Sequence, residues 1–140
     1  MLRSFVAMVT ALLLFAAPAV AQDAPEAEWQ AVITHQIQAF RDKDAAAAFS
    51  DAAPMFHQAF PSAIAFFDSI VNSGYAPIMN SSTHSFGAFE TAPGADAAMQ
   101  LVKLTGTNGS LYEAVYNMTL EEGAWRVSGV MLRDLGGVGI

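Results

Sequence analysis

The hydrophobic pattern is most regular in the last third of the chain. Between residues 111 and 132, Tyr112, Ala114, Tyr116, Met118 and Leu120 recur at every second position, with Glu113, Asn117 and Thr119 between them. That period puts the two sets on opposite faces of a strand. Glu121-Glu122-Gly123 interrupts the run with charge and a glycine, and Trp125, Val127 and Val130 to Leu132 restart it. The pattern predicts two long antiparallel strands with one apolar face to cover. Upstream, Ala98, Gln100, Val102 and Leu104 alternate with Met99, Leu101 and Lys103. A strand apolar on both sides is expected to be central, and Thr107-Asn108-Gly109-Ser110 supplies a hairpin into the strand that follows. Residues 83–89 predict another strand, with a bulge near Phe86 and its neighbouring glycine, and residues 91–96 a turn-rich loop.

The first half of the chain follows the helical period. Trp29, Val32, Ile33, Ile37 and Phe40 form one stripe at 100° per residue, and Gln36 falls near its middle. This predicts a helix to about residue 40 or 41, preceded by a leader, residues 22–26, in which Asp23 is a cap candidate and Pro25 sits near the first helical position. Asp42-Lys43-Asp44 offers caps for a short alanine-rich helix over residues 45–52, and Pro54 is expected to end it. Met55, Phe56 and Phe60 are read as an irregular connection folded back over the core. Pro61-Ser62 opens a third helix carrying Ile64, Phe67, Ile70 and Val71, closed by Asn72-Ser73-Gly74. Residues 75–78 are read as leading into the sheet, where Pro77 suits an edge or a strand start. Residues 136–140 form a glycine-rich tail, either flexible or pairing at an edge.

The N-terminus changes what this fold is for. Arg3, the apolar run of residues 5–17 and the small-x-small site Ala19-Val20-Ala21 read as a secretory signal peptide over residues 1–21. The run is short for a membrane span, so a periplasmic or secreted product without a stable membrane anchor is expected; an uncleaved anchor is the alternative. Cleavage would leave 119 residues, the size of one domain over residues 22–140, with five basic residues against 13 acidic, a balance of −8. Such a surface repels phosphate backbones and argues against nucleic-acid binding. With no cysteine, stability has to come from burial, for which ten Phe, seven Met and two Trp provide the material.

Chemical signals are sparse. His35, His57 and His84 share no metal-ligand spacing, and there is no phosphate loop, dinucleotide fingerprint or nucleophile elbow. No metal, cofactor or catalytic residue is therefore assigned. Asn80, Asn108 and Asn117 each fit the glycosylation sequon, a weak signal in a chain with this much Ser and Thr.

The order of parts resembles a known layout. Ile33-x-x-Gln36-Ile37-x-Ala39-Phe40, the alanine helix from Asp44 to Phe49, the Asp51-Ala52-Ala53-Pro54 turn, Val71-x-x-Gly74-Tyr75-Ala76-Pro77 and Trp125-Arg126-Val127-x-Gly129 resemble an uncharacterised family of small bacterial proteins. That domain of unknown function is similar in layout to the nuclear-transport-factor-two-like (NTF2-like), or SnoaL-like, superfamily. The resemblance implies an α+β cystatin-like cone, in which N-terminal helices pack in the concave face of a curved antiparallel sheet and leave a pocket. The superfamily includes isomerases, dehydratases and cyclases as well as non-catalytic binding modules, so the fold alone does not give the function.

The resulting expectation is a non-catalytic module that binds a small apolar ligand or a partner. The pocket residues expected are Gln36, Gln100 and Tyr116, which alternatively satisfy one another or the backbone in a closed core. A small isomerase- or dehydratase-type enzyme is the second reading. It needs a carboxylate beside a donor such as Tyr116, and the nearest carboxylate on the strands is Asp134. Because the strand over residues 98–104 is apolar on both faces, a homodimer through the sheet is also expected.

Overall fold

The computed structural model describes residues 27–94 and 96–137. The expected signal peptide, the leader and the last three residues of the tail lie outside them. Helix α1, Glu28–Arg41, buries Trp29, Ile33, Gln36, Ile37 and Phe40, as the stripe predicts. Three short helices follow: α2, Ala45–Ser50; α3, Pro54–Ala59; and α4, Ala63–Ile70. Asp44 and Ser62 cap α2 and α4, their side chains accepting from Ala47 N and Ala65 N, each at 3.1 Å. These bonds satisfy amides that the first turn leaves unpaired.

Three readings of the sequence need correction. In α4 the expected stripe is turned: Ile64 is 69% exposed, while Phe66, outside that stripe, is the buried residue. Residues 54–59, expected as an irregular connection, form α3, because a proline at the first helical position costs no hydrogen bond and presets φ. Residues 76–79, expected to lead into the sheet, form the one-turn helix α5, Ala76–Met79. A π-helical turn, Val71–Tyr75, links it to α4, and Gly74 at φ +102° redirects the chain. Pro77 therefore stands at a helix start and not in a strand.

The sheet is antiparallel in the order β1-β2-β3-β4. Its strands are β1, Ser81–Thr91; β2, Ala97–Gly106; β3, Ser110–Glu121; and β4, Ala124–Gly137. β1 shifts register against β2 between Phe86 and Phe89, where the bulge is expected. The β3–β4 reversal places Glu122 at φ 50° and Gly123 at φ 81°, so both central residues are left-handed, the geometry that matches strand twist.

Val102, Leu104, Ala114, Tyr116, Met118, Trp125 and Val127 make the inner face, and all are buried with the α1 stripe in one core. The segment after α2 is attached to the free edge of β4: Asp51 O accepts from Val127 N and Val127 O from Ala53 N, both at 2.8 Å. Among the described residues no helix is long and apolar enough to cross a membrane.

Tyr116 carries a consequence for pH. Burial pushes its hydroxyl well above the usual tyrosine range, with the Arg41 charge opposing. Below about pH 10 the phenol is neutral in both states and its packing contributes fully. Above that, the unfolded chain releases the proton first, so stability falls as pH rises. Melting temperatures from pH 8 to 11 should therefore drop more steeply for the native chain than for Tyr116→Phe; parallel curves would reject this assignment.

Candidate functional site

Between α1, the α3–α4 pair and β4 lies a cavity of about 190 Å³. Val127, Gly129 and Val130 of β4 form one side, Phe40 and Gln36 of α1 another, and Phe56, Phe66 and Ile70 a third. The aromatic wall is built around Phe66, whose ring centroid lies 5.0 Å from Phe49, 5.7 Å from Phe60 and 5.8 Å from Phe56. Tyr75 and Ile78 line the remainder, and the Tyr75 hydroxyl donates to Val130 O at 2.8 Å. The π-helical turn presents that hydroxyl to β4.

Gln36 is the polar side chain α1 brings to this space. Its Nε2 donates to Ala48 O at 3.1 Å, fastening α1 to α2. Among the described residues its Oε1 receives no hydrogen bond, while every fully buried side-chain N or O atom has a partner. The oxygen therefore reaches open space, an acceptor at the wall of an otherwise apolar chamber.

Residues 22–139 match a family described as a domain of unknown function, DUF4864. The chain belongs to that family. The DUF4864 fold is similar to that of an NTF2-like protein of unknown function from Shewanella baltica, at 11% identity over 75% of this chain and 89% of that one, with a TM-score of 0.50. An NTF2-like protein of unknown function from Silicibacter pomeroyi aligns at 16% identity over 76% of this chain and 92% of that one, with a TM-score of 0.49. The likeness to the Shewanella baltica protein concerns fold alone, an α+β cone with a curved antiparallel sheet. No curated protein matches the chain.

The other two residues expected in the pocket of this DUF4864 domain lie elsewhere on the inner face. Gln100 is fully buried at the far end of α1, where its Oε1 accepts from Trp29 Nε1 at 2.9 Å and Gln30 Nε2 at 3.0 Å, and its Nε2 donates to Gly87 O at 2.9 Å. The amide clamps α1 to β2 and to the β1 bulge. Tyr116 is buried in the core near Arg41, and neither residue lines the cavity. Asp134, the nearest strand carboxylate, is exposed and accepts from Gly136 N at 2.7 Å.

Sequence reasoning passed over a contact beside Gln36. His35 Nδ1 bonds Asp51 Oδ2 in a short pair, with Asp51 buried and the His35 ring 59% exposed. Burial pushes the Asp51 carboxyl above its usual range, while His35 and then Arg126 act to lower it. Among the described residues no hydrogen bond joins this pair to a serine or a second carboxylate. It serves as a tie between α1 and the segment fastened to β4. Nor do three His, Cys, Asp or Glu side chains gather as a metal site among those residues.

Proposed function

We propose that this chain is an exported, non-catalytic module that holds a small, neutral, mostly apolar ligand between α1 and β4. The observation that carries the reading is the cavity of about 190 Å³ with one open acceptor, Gln36 Oε1, in an apolar wall. Apolar cavities of roughly 150 Å³ stay dry and accept benzene or xenon, so this chamber suits a single-ring ligand. An acceptor without a fixed positive charge favours a hydroxyl or amine donor over a carboxylate. Export is supported by Arg3, the apolar run of residues 5–17, the Ala19-Val20-Ala21 site and a family match that begins at Gln22.

Phenol and toluene separate the parts of this reading. Both should raise the melting temperature, and phenol should do so at lower free concentration. In Gln36→Leu the phenol preference should disappear while toluene still binds, and the lost bond to Ala48 O should cost about 1–3 kcal/mol. If neither probe stabilises the native chain, the ligand reading fails. Mass spectrometry of protein from an expressing bacterium should find Gln22 at the N-terminus; abundant cytoplasmic protein beginning at Met1 would refute export.

The isomerase- or dehydratase-type alternative needs a proton-transfer group inside the cavity. Tyr75 is the titratable side chain among those that line it, and its hydroxyl already donates to Val130 O at 2.8 Å, while the His35 ring beside Asp51 is exposed, which gives that reading little support.

A further inference from the structure

A second depression, of about 260 Å³, opens between α5 and the β2–β3 hairpin. α5 divides it from the chamber: Ile78 lines the chamber, whereas Ala76 and Pro77 line the depression. Asn80, Thr107, Asn108 and Tyr112 make the rest of its wall, and none of its lining residues is charged. The corner is fixed by its backbone. Asn80 N donates to Ala76 O at 3.0 Å and Thr107 N to Asn80 O at 3.3 Å, which ties the hairpin to the end of α5. Ser81 Oγ donates to Ile78 O at 2.7 Å and accepts from Arg41 Nε at 3.0 Å. Within the hairpin, Gly109 N donates to Gly106 O at 3.0 Å and Ser110 N to Asn108 Oδ1 at 3.1 Å. Glycine at 106 makes room for that carboxamide, since a Cβ there would meet Asn108 Oδ1 at 2.9 Å.

These bonds occupy the backbone and leave the side chains open. Among the described residues the Asn80 carboxamide, the Thr107 and Tyr112 hydroxyls and Asn108 Nδ2 make no hydrogen bond. The carboxamides supply donors and an acceptor, each hydroxyl supplies both, and Pro77 with the Tyr112 ring supplies an apolar side. Such a set has no charge with which to hold a phosphate, carboxylate or ammonium group. A hydrocarbon, in turn, would cover its polar groups without pairing them. The ligand that fits carries several hydroxyls, no charge and one face of C–H groups. We propose that the depression binds a neutral sugar ring, its hydroxyls toward Asn80, Thr107 and Asn108 and its C–H face against Pro77 and Tyr112. The volume lies below the roughly 300 Å³ at which drug-sized pockets begin, so it takes one ring and leaves any neighbouring ring in solvent. Because the corner is already fixed, binding orders a few side chains and no backbone, which limits the entropy lost. Asn80 and Asn108 match the glycosylation sequon in the sequence; in this role their amides are unmodified.

Two-dimensional amide NMR of the purified protein tests this with glucose, galactose, mannose and N-acetylglucosamine. At least one should bind with a dissociation constant of roughly 1 mM, shifting the amides of Asn80, residues 107–110 and Tyr112. Asn80→Ala and Tyr112→Phe each remove one hydrogen-bonding group and should weaken that binding about three- to ten-fold, with spectra that stay native away from the depression. Glucose 6-phosphate should bind no more tightly than glucose. Phenol in the chamber should leave the sugar titration unchanged, so failure of one site is separate from failure of the other. No shift with any of the four sugars at about 50 mM overturns the proposal. Shifts confined to other surfaces, or native affinity in both variants, overturn it as well. So does a preference of about ten-fold for the phosphorylated sugar, which would make the depression an anion site.

Discussion

Replacing Trp29 by alanine is expected to cost about 3–5 kcal/mol, read as a lower urea midpoint with an unchanged slope. The side chain holds the start of α1 to the sheet in two ways. Its ring meets Trp125 edge-on at 5.3 Å and Phe89 at 5.1 Å, and its Nε1 donates to Gln100 Oε1 at 2.9 Å. Alanine removes the ring and leaves a void bounded by rigid strands, which collapse poorly. Gln100 keeps its bond from Gln30, so the amide is not orphaned and most of the loss is packing. Trp29→Phe distinguishes the two contributions: it retains much of the ring contact and should cost about 1–2 kcal/mol. If Trp29→Ala is no more damaging than Trp29→Phe, the ring contacts are not what secures α1.

Phe66→Ala should be comparably costly, about 3–5 kcal/mol, and should change the cavity as well. Phe66 is 3% exposed and stands between the chamber and a ring of phenylalanines. Truncation joins the vacated volume to the chamber. A two-ring hydrocarbon such as naphthalene, too large for the native space, should then raise the melting temperature of the variant by mass action and leave the native chain unchanged. Loss of stability without recovery by naphthalene would mean the site collapses, and the aromatic wall is then core packing alone.

The fold was legible wherever one period dominated. The α1 stripe, the alternation of β2 and β3 and the charge-glycine reversal at Glu122-Gly123 each follow from a local rule, and the caps Asp44 and Ser62 from side-chain chemistry. Pro54 and Pro77 were misread because proline punctuates chains in two opposite ways, ending one helix or opening the next. Only the neighbouring turn decides which. Gln36 could be found because a polar residue inside an apolar stripe must face something. Gln100 and Tyr116 do share its side of the sheet, but Gln100 meets the start of α1 at Trp29 and Gln30 and Tyr116 is enclosed in the core, and no sequence period encodes where a helix crosses a sheet. Phe66 fell outside the stripe read for its helix, Ile64, Phe67, Ile70 and Val71, and Tyr75 was read as leading into the sheet, since their place in the cavity wall depends on how α3 and α4 fold back over β4. The His35–Asp51 tie left no trace in the pattern: the residues are 16 apart, one on the exposed side of a helix and the other in a turn.

The two sheet edges have a consequence for concentrated protein. β1 loses register against β2 twice, between Ser81 and Thr83 and again between Phe86 and Phe89, and most of its residues are exposed. β4 is bridged at Val127 by Ala52 in the parallel sense. A strand arriving from another molecule needs a long, evenly spaced series of free N–H and C=O groups, and each of these irregularities cuts that series short. Growth by adding strands is thereby hindered along β1, and at the Val127 end of β4 for as long as the segment after α2 stays in place, so loss of the helices should expose β4 first.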